Sequence, residues 1–228
     1  VYSAKDIETF SIMLAGFQEE KSFLVKAGLF LSALINRCED DAFVIHAAHL
    51  DGEMVNIGYR NMKNILLKGG AEGNTGLLMK DGTLIIEGDA DVRLGWKMSG
   101  GAITVEGNST DRTGYEMSGG AIVIKGNSAE DCGSGMHGGM ISVHGNVGGR
   151  LGVEMSGGTI LVKGNTGFCP GIGMKGGKII VKGDAGRLVG DGMKGGEIHV
   201  EGKIHSLAYS EDIVHGKIFH NGELIVDK

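Results

Sequence analysis

Short runs of alternating side chains return along this chain every 19 residues. In each run two aliphatic positions flank a variable one. The first aliphatic column is Leu84, Ile103, Ile122, Ile141, Ile160, Ile179 and Ile198, and the second is Ile86, Val105, Ile124, Val143, Val162, Val181 and Val200. Thr104, Val123, Ser142, Leu161, Ile180 and His199 lie between them, and Glu106, Lys125, His144, Lys163, Lys182 and Glu201 follow. A period of two is that of a strand with one buried face, and a slip of one residue would turn every aliphatic side chain outward. Met79, Met98, Met117, Met136, Met155, Met174 and Met193 keep the same 19-residue spacing and precede each run, as in MSGGAITVEGN, MSGGAIVIKGN and MKGGKIIVKGD. The frame extends upstream to Arg60, where NILLKGG fills the strand slot. Downstream it reaches Ile213 after one inserted residue, where GKIFHNG fills it. That makes about nine units.

No unit has room for a helix of ordinary length. Between Gly107 and Met117 the chain reads GNSTDRTGYEM, which carries no helical stripe. The pattern therefore predicts an all-β fold: a single-stranded, right-handed parallel β-helix of about nine 19-residue coils. One coil buries too little apolar surface to offset the entropy of ordering it, so stability belongs to the stack, and the open ends need caps. Residues 1–40 are expected to form a small α-helical N-terminal cap and residues 41–228 the β-helix. Ser3 and Ser22 are the expected helix N-caps, and Phe23, Ala27, Leu31, Leu34 and Ile35 form one apolar helical face. The apolar stretch from Ser22 to Ile35 follows acidic Glu19 and Glu20 and is shorter than the ~20 residues of a membrane span, so it reads as a core-facing helix.

Composition sharpens the picture. There are 43 glycines and one proline, which excludes collagen and points to many fixed backbone positions that want glycine. A G-x-x-G-x-x-x-G phrase follows the strand, as at Gly145, Gly148 and Gly152. Asn108, Asn127, Asn146 and Asn165 stand beside the corner glycine, where asparagine tolerates a left-handed backbone and, stacked, can form a side-chain ladder. The net charge of −6 argues against nucleic acid and anionic membranes as partners. Cys38, Cys132 and Cys169 make no even framework and no CxxC pair, and read as reduced thiols of a cytoplasmic protein.

Candidate chemistry is sparse. GxGxxG occurs at Gly133–Gly138, Gly171–Gly176 and Gly190–Gly195, but a strand follows each where a nucleotide site needs a helix. The methionine column reads as core, and the histidines are scattered without a metal-binding spacing. No nucleophile–base motif occurs, so no catalytic, cofactor-binding or metal-binding residue is assigned. Asp91, Asp111 and Asp131 fall near one corner. Arg93, Arg112 and Arg150 share a column interrupted by Asp131, and Trp96 and Tyr115 share another three residues on. Arg, Trp and Tyr are the types enriched at protein interfaces, so these five are the candidate partner-binding residues, against the alternative of inward-packed rings and solvated charges.

The phrase GNxGxxxGxxMxGGxIxVxGN, seen from Gly145 to Asn165, resembles the repeat shared by the C-terminal domain of the glutamate synthase large subunit and by the repeat-bearing subunit of formylmethanofuran dehydrogenase. The resemblance covers roughly residues 34–222. It implies a right-handed β-helix without catalytic residues, a structural subunit that binds no cofactor itself and packs on partners carrying flavin and iron–sulfur, or molybdenum or tungsten, cofactors. The stretch NMKNILLKGGAEGNTGLLMKDGTLIIEGDA is similar to a stand-alone archaeal-type glutamate synthase β-helix, the first choice; MKGGKIIVKGDAG and MKGGEIHVEG are equally similar to the formylmethanofuran dehydrogenase repeat, the alternative, whose expected N-terminal strand region is not seen here. Two functions from different classes follow: a scaffold in a cytoplasmic oxidoreductase or amidotransferase complex, with self-association as a further assembly, or a β-helix enzyme acting on a polysaccharide. The short uniform coils favour the scaffold, because enzymatic grooves are built from long loops.

Overall fold

The computed structural model describes residues 2–17, 23–50, 54–209 and 211–228. Among the described residues two helices, α1 (Ala4–Met13, running on as a 3-10 turn over Leu14–Phe17) and α2 (Phe23–Arg37), precede thirteen strands. These are β1 (Ala42–His46), β2 (Met54–Val55), β3 (Asn64–Lys68), β4 (Ala71–Glu72), β5 (Thr83–Ile86), β6 (Ala102–Val105), β7 (Ala121–Ile124), β8 (Met140–Val143), β9 (Thr159–Val162), β10 (Lys178–Val181), β11 (Lys194–Val200), β12 (His215–His220) and β13 (Glu223–Asp227). The main sheet has 11 strands in the order β1-β3-β5-β6-β7-β8-β9-β10-β11-β12-β13. All neighbours are parallel up to β12, and β12 pairs antiparallel with β13. The chain is a parallel β-solenoid of about nine turns with a helical cap.

The registers follow from the aliphatic columns. Ile103, Ile122, Ile141 and Ile160 pair in sequence across β6, β7, β8 and β9, and each is fully buried. The methionine column is buried throughout. Two further interior columns carry less regular chemistry. One is Leu94, Thr113, Cys132 and Leu151; the other is the row of parallel bridges through Ala90, Ser109, Ser128 and Val147. Where hydroxyls enter, they bond one another: Thr113 Oγ1 donates to Ser109 Oγ at 2.9 Å. A buried hydroxyl without such a partner would be costly. Upstream, the methionine slot of the first full coil is filled by buried Asn61, not by Arg60: Asn61 N–H bonds Gly58 O as Met79 N–H bonds Gly76 O. Asn61 closes the slot through its own side chain, bonded to the backbone of Lys63 at both ends.

The corner asparagines work as a ladder. Asn108 Oδ1 accepts the backbone N–H of Asn127 at 2.9 Å, Asn127 serves Asn146, and Asn146 serves Asn165. Asp89 and Asp184 extend the ladder at its two ends. These asparagines are not in the left-handed region. The corner glycines Gly126, Gly145 and Gly164 are needed for closeness, since a Cβ on each would lie 2.4–2.5 Å from the asparagine oxygen of the coil below.

Both ends are capped. Ser3 caps α1 in a reciprocal box with Asp6, as the sequence predicts. The expected cap at Ser22 lies outside the described residues. On α2, Ala27, Leu31 and Ile35 are buried, and Phe23 and Leu34 are half-buried. The helix closes the first coil with hydrogen bonds: Ser32 Oγ donates to Asn56 O at 3.2 Å and Asn36 Nδ2 to Tyr59 O at 3.1 Å. Later coils fill the position of Tyr59 O with an amide from the coil before, as Lys97 N–H does for Tyr115 O. On β1, the outward N–H of His46 is accepted by buried Ser11 Oγ at 3.0 Å. Replacing Ser11 by alanine strands that N–H and is expected to cost about 1–2 kcal/mol in urea denaturation. At the far end the antiparallel strand β13 covers β12 through a turn at Asn221 and Gly222, with φ of 51° and 82°. That is the two-residue Asn-Gly hairpin.

Candidate docking corner

After the bridge row, each coil bends through three left-handed residues in alternate positions. They are Arg93, Gly95 and Lys97 in one coil and Arg112, Gly114 and Glu116 in the next. Asp131, Gly133 and Gly135 follow, then Arg150, Gly152 and Glu154. The alternation points successive amides to opposite sides: Arg93 N–H donates forward to Asp111 O, Gly95 N–H back to Thr75 O, and Lys97 N–H forward to Tyr115 O. The corner is thus hydrogen-bonded to both neighbouring coils as firmly as the strand is. The central glycine admits a neighbour's side chain, since a Cβ on Gly114 would lie 2.4 Å from Ile141 Cδ1. Arginine at φ of 62°, 62° and 59° in Arg93, Arg112 and Arg150 is strained by roughly 1 kcal/mol each; the same column is left-handed at Asn74, Cys169 and Leu188, so the strain belongs to the repeat.

Side chains of these residues meet along the corner. The guanidinium of Arg93 lies 5.4 Å from the Trp96 ring centroid, Lys97 Nζ 5.5 Å from it, and the Tyr115 ring 6.2 Å away. Both rings are half-buried, each keeping a surface to solvent. Lys97 Nζ also reaches Glu116 at 3.4 Å, and Glu116 holds the Tyr115 hydroxyl above its ordinary pKa by hydrogen bonding. Two coils further, Arg150 makes a bidentate pair with Asp131, both contacts 2.8 Å, and reaches Glu130 at 3.0 Å. Asp131 pushes the Arg150 guanidinium above its ordinary pKa, chiefly by that hydrogen bond. Arg112 Nε lies 4.0 Å from Asp131. The arginine column is therefore balanced from within: Asp131 serves two arginines, and Arg93 turns onto the indole. The indole N–H of Trp96 and the amide oxygen of Asn74 one coil earlier are buried, and neither has a hydrogen-bond partner among the described residues.

Asp91 accepts from Thr110 Oγ1 at 2.9 Å and Asp111 from the Glu130 N–H at 3.0 Å, so these carboxylates knit coils together. Burial pushes the Cys132 thiol up to about 12, far from a reactive thiolate. The three cysteines are free and buried. Gly133, Gly171 and Gly190 of the GxGxxG matches lead into β8, β10 and β11, so no helix N-terminus faces them. Among the described residues no three His, Cys, Asp or Glu side chains are grouped to hold a metal, and no helix is long and apolar enough to cross a membrane.

Residues 70–146 match a family model described as the GXGXG motif. A solved structure with the same fold is a chain of the formyltransferase/hydrolase complex FhcABCD from Methylorubrum extorquens, in complex with methylofuran. The two are 28% identical with a TM-score of 0.60, over 71% of this chain and 60% of that one. This chain thus spans about three fifths of the length of its solved neighbour. A search of curated proteins finds no match.

Proposed function

We propose that this chain, a solenoid carrying the GXGXG motif, is a non-catalytic docking subunit of a multi-subunit oxidoreductase-type complex. The observation that carries the reading is the corner: an Arg–Trp–Tyr surface on a rigid stack, whose aspartates already bond neighbouring coils. Interfaces favour such rigid aromatic and arginine anchors, and the Trp96 and Tyr115 rings each keep a surface to solvent. The solved neighbour belongs to a formyltransferase/hydrolase complex. That favours the formylmethanofuran dehydrogenase side of the resemblance over glutamate synthase. On this reading redox cofactors, flavin and iron–sulfur or molybdenum or tungsten, belong to the partner chains.

The test is a double variant, Arg93→Glu with Trp96→Ala, which leaves the Asp131 network untouched. Purified from the native host, the wild-type chain is expected to bring stoichiometric partner subunits and the variant to lose them, at a thermal midpoint within a few degrees. The isolated wild-type chain is expected to show no flavin band in its visible spectrum and no stoichiometric metal. Unchanged co-purification would overturn the corner as the docking surface, and a bound chromophore would overturn the reading of the chain as non-catalytic.

A further inference from the structure

The outer face of the main sheet is open where β7 to β10 cross it. Its middle row there is Val123, Ser142, Leu161 and Ile180, half-buried and directly paired from strand to strand. Two residues on, ~6.6 Å along each strand, runs a parallel row of exposed Lys125, His144, Lys163 and Lys182. Four basic side chains in consecutive coils are unusual in a chain of net charge −6. The ends of the row are compensated, Lys125 by Glu106 at 2.6 Å and Lys182 by Glu201. Neither His144 nor Lys163 in the middle has an acidic partner among the described residues. Lys163 and Lys182 at ~4.8 Å repel, and only Lys182 has an acid to offset it, so the middle of the row is short of anions.

From this we infer that the β7–β10 face docks an amphipathic helix of a partner protein, lying along the solenoid axis with acidic residues on one flank. The spacing fits. A helix rises 5.4 Å per turn and coils repeat every ~4.8 Å, so three turns place an apolar residue over each of Val123, Leu161 and Ile180 with a drift of about 2 Å. Its acidic flank then lies over His144 and Lys163. A second copy of this chain fits poorly: face on face, a two-fold along the strands sets basic row on basic row, and a two-fold along the solenoid axis sets it on Ala121, Met140, Thr159 and Lys178, which hold no acid. The inference rests on reading the chain as a docking scaffold and is independent of the Arg93–Trp96 corner, which belongs to another side of the coil.

The probe is a labelled three-turn peptide with a leucine stripe and glutamates on one flank, titrated against the full chain by fluorescence anisotropy. A lysine-flanked counterpart and phosphatidylglycerol vesicles serve as comparisons. Saturable binding of the glutamate peptide alone is expected, weakened about ten-fold by His144→Glu with Lys163→Glu and equally by Leu161→Asp, with wild-type thermal midpoints. No binding, binding that neither variant weakens, or preference for vesicles would overturn the inference. The same variants are purified with native partners. Retention of partners by the His144→Glu, Lys163→Glu chain, with their loss from the Arg93→Glu, Trp96→Ala chain, would sink the sheet-face inference alone. Retention by both would sink the scaffold reading.

Discussion

Ile141→Asp is expected to cost at least about 4 kcal/mol of stability. Ile141 is fully buried in mid-stack, paired with Ile122 below and Ile160 above. Its Cδ1 fills the space over Gly114 on the opposite corner, so the side chain joins the sheet wall to the left-handed wall. A carboxylate there meets hydrocarbon and glycine Cα and finds no donor. It would hold its proton well above the unfolded value of about 3.9. The folded state then binds the extra proton, and stability falls as pH rises through that window. The deficit should accordingly be largest at neutral pH and shrink on acidification toward pH ~4. Lys163→Asp, one column outward and exposed, should shift stability by under about 0.5 kcal/mol. Chemical denaturation of both variants across pH checks this, and equal losses would overturn the assignment of faces. Because each coil contacts only its neighbours, the buried variant is also expected to unfold in more than one step.

The aliphatic and methionine columns were legible because nothing in the coils from Met79 to Met193 interrupts their 19-residue period. The asparagine ladder was legible for the same reason, although the left-handed conformation expected of those residues lies elsewhere. It lies at Arg93, Arg112, Asp131 and Arg150, and sequence reasoning misses it there because arginine advertises charge, not backbone geometry. The interior column through Leu94, Thr113, Cys132 and Leu151 was hidden by its mixed chemistry. Its threonine is acceptable inside only because Ser109 answers it. Asn61 was masked by a coil one residue short. The closing hairpin did have its signal, Asn221-Gly222, but the repeat frame absorbed it as one more corner. At the candidate site, the five residues could be named from their columns. That Arg93 reaches Trp96 three residues on could not, since the contact depends on the alternating bends that bring residues i and i+3 to one side. The outer-face basic row was visible as a column, and its shortage of anions emerged only from the ion pairs at its two ends.

Those bends and the glycines before each strand also set the largest local backbone demand. Gly120 has φ of 85°, and a Cβ there would stand 2.7 Å from Gly101 O and 2.7 Å from Met98 Cε. The methionine tip can swing aside. The Gly101 carbonyl cannot, because it accepts the Ala121 N–H at 3.0 Å and so belongs to the ladder that starts the strand. Gly120→Val therefore combines a left-handed backbone, costing a branched residue about 1–2 kcal/mol or more, with a steric wedge between two coils. A loss of about 3–5 kcal/mol is expected. Gly222→Ala separates the two contributions. Gly222 has nearly the same φ, 82°, but nothing within 4 Å of the added Cβ, so only the conformational cost of about 1 kcal/mol should appear. Urea denaturation of the two variants decides the matter. If Gly120→Val costs no more than Gly222→Ala, the coils can part to admit a side chain, and the close stacking ascribed to these glycines is not what holds the solenoid together.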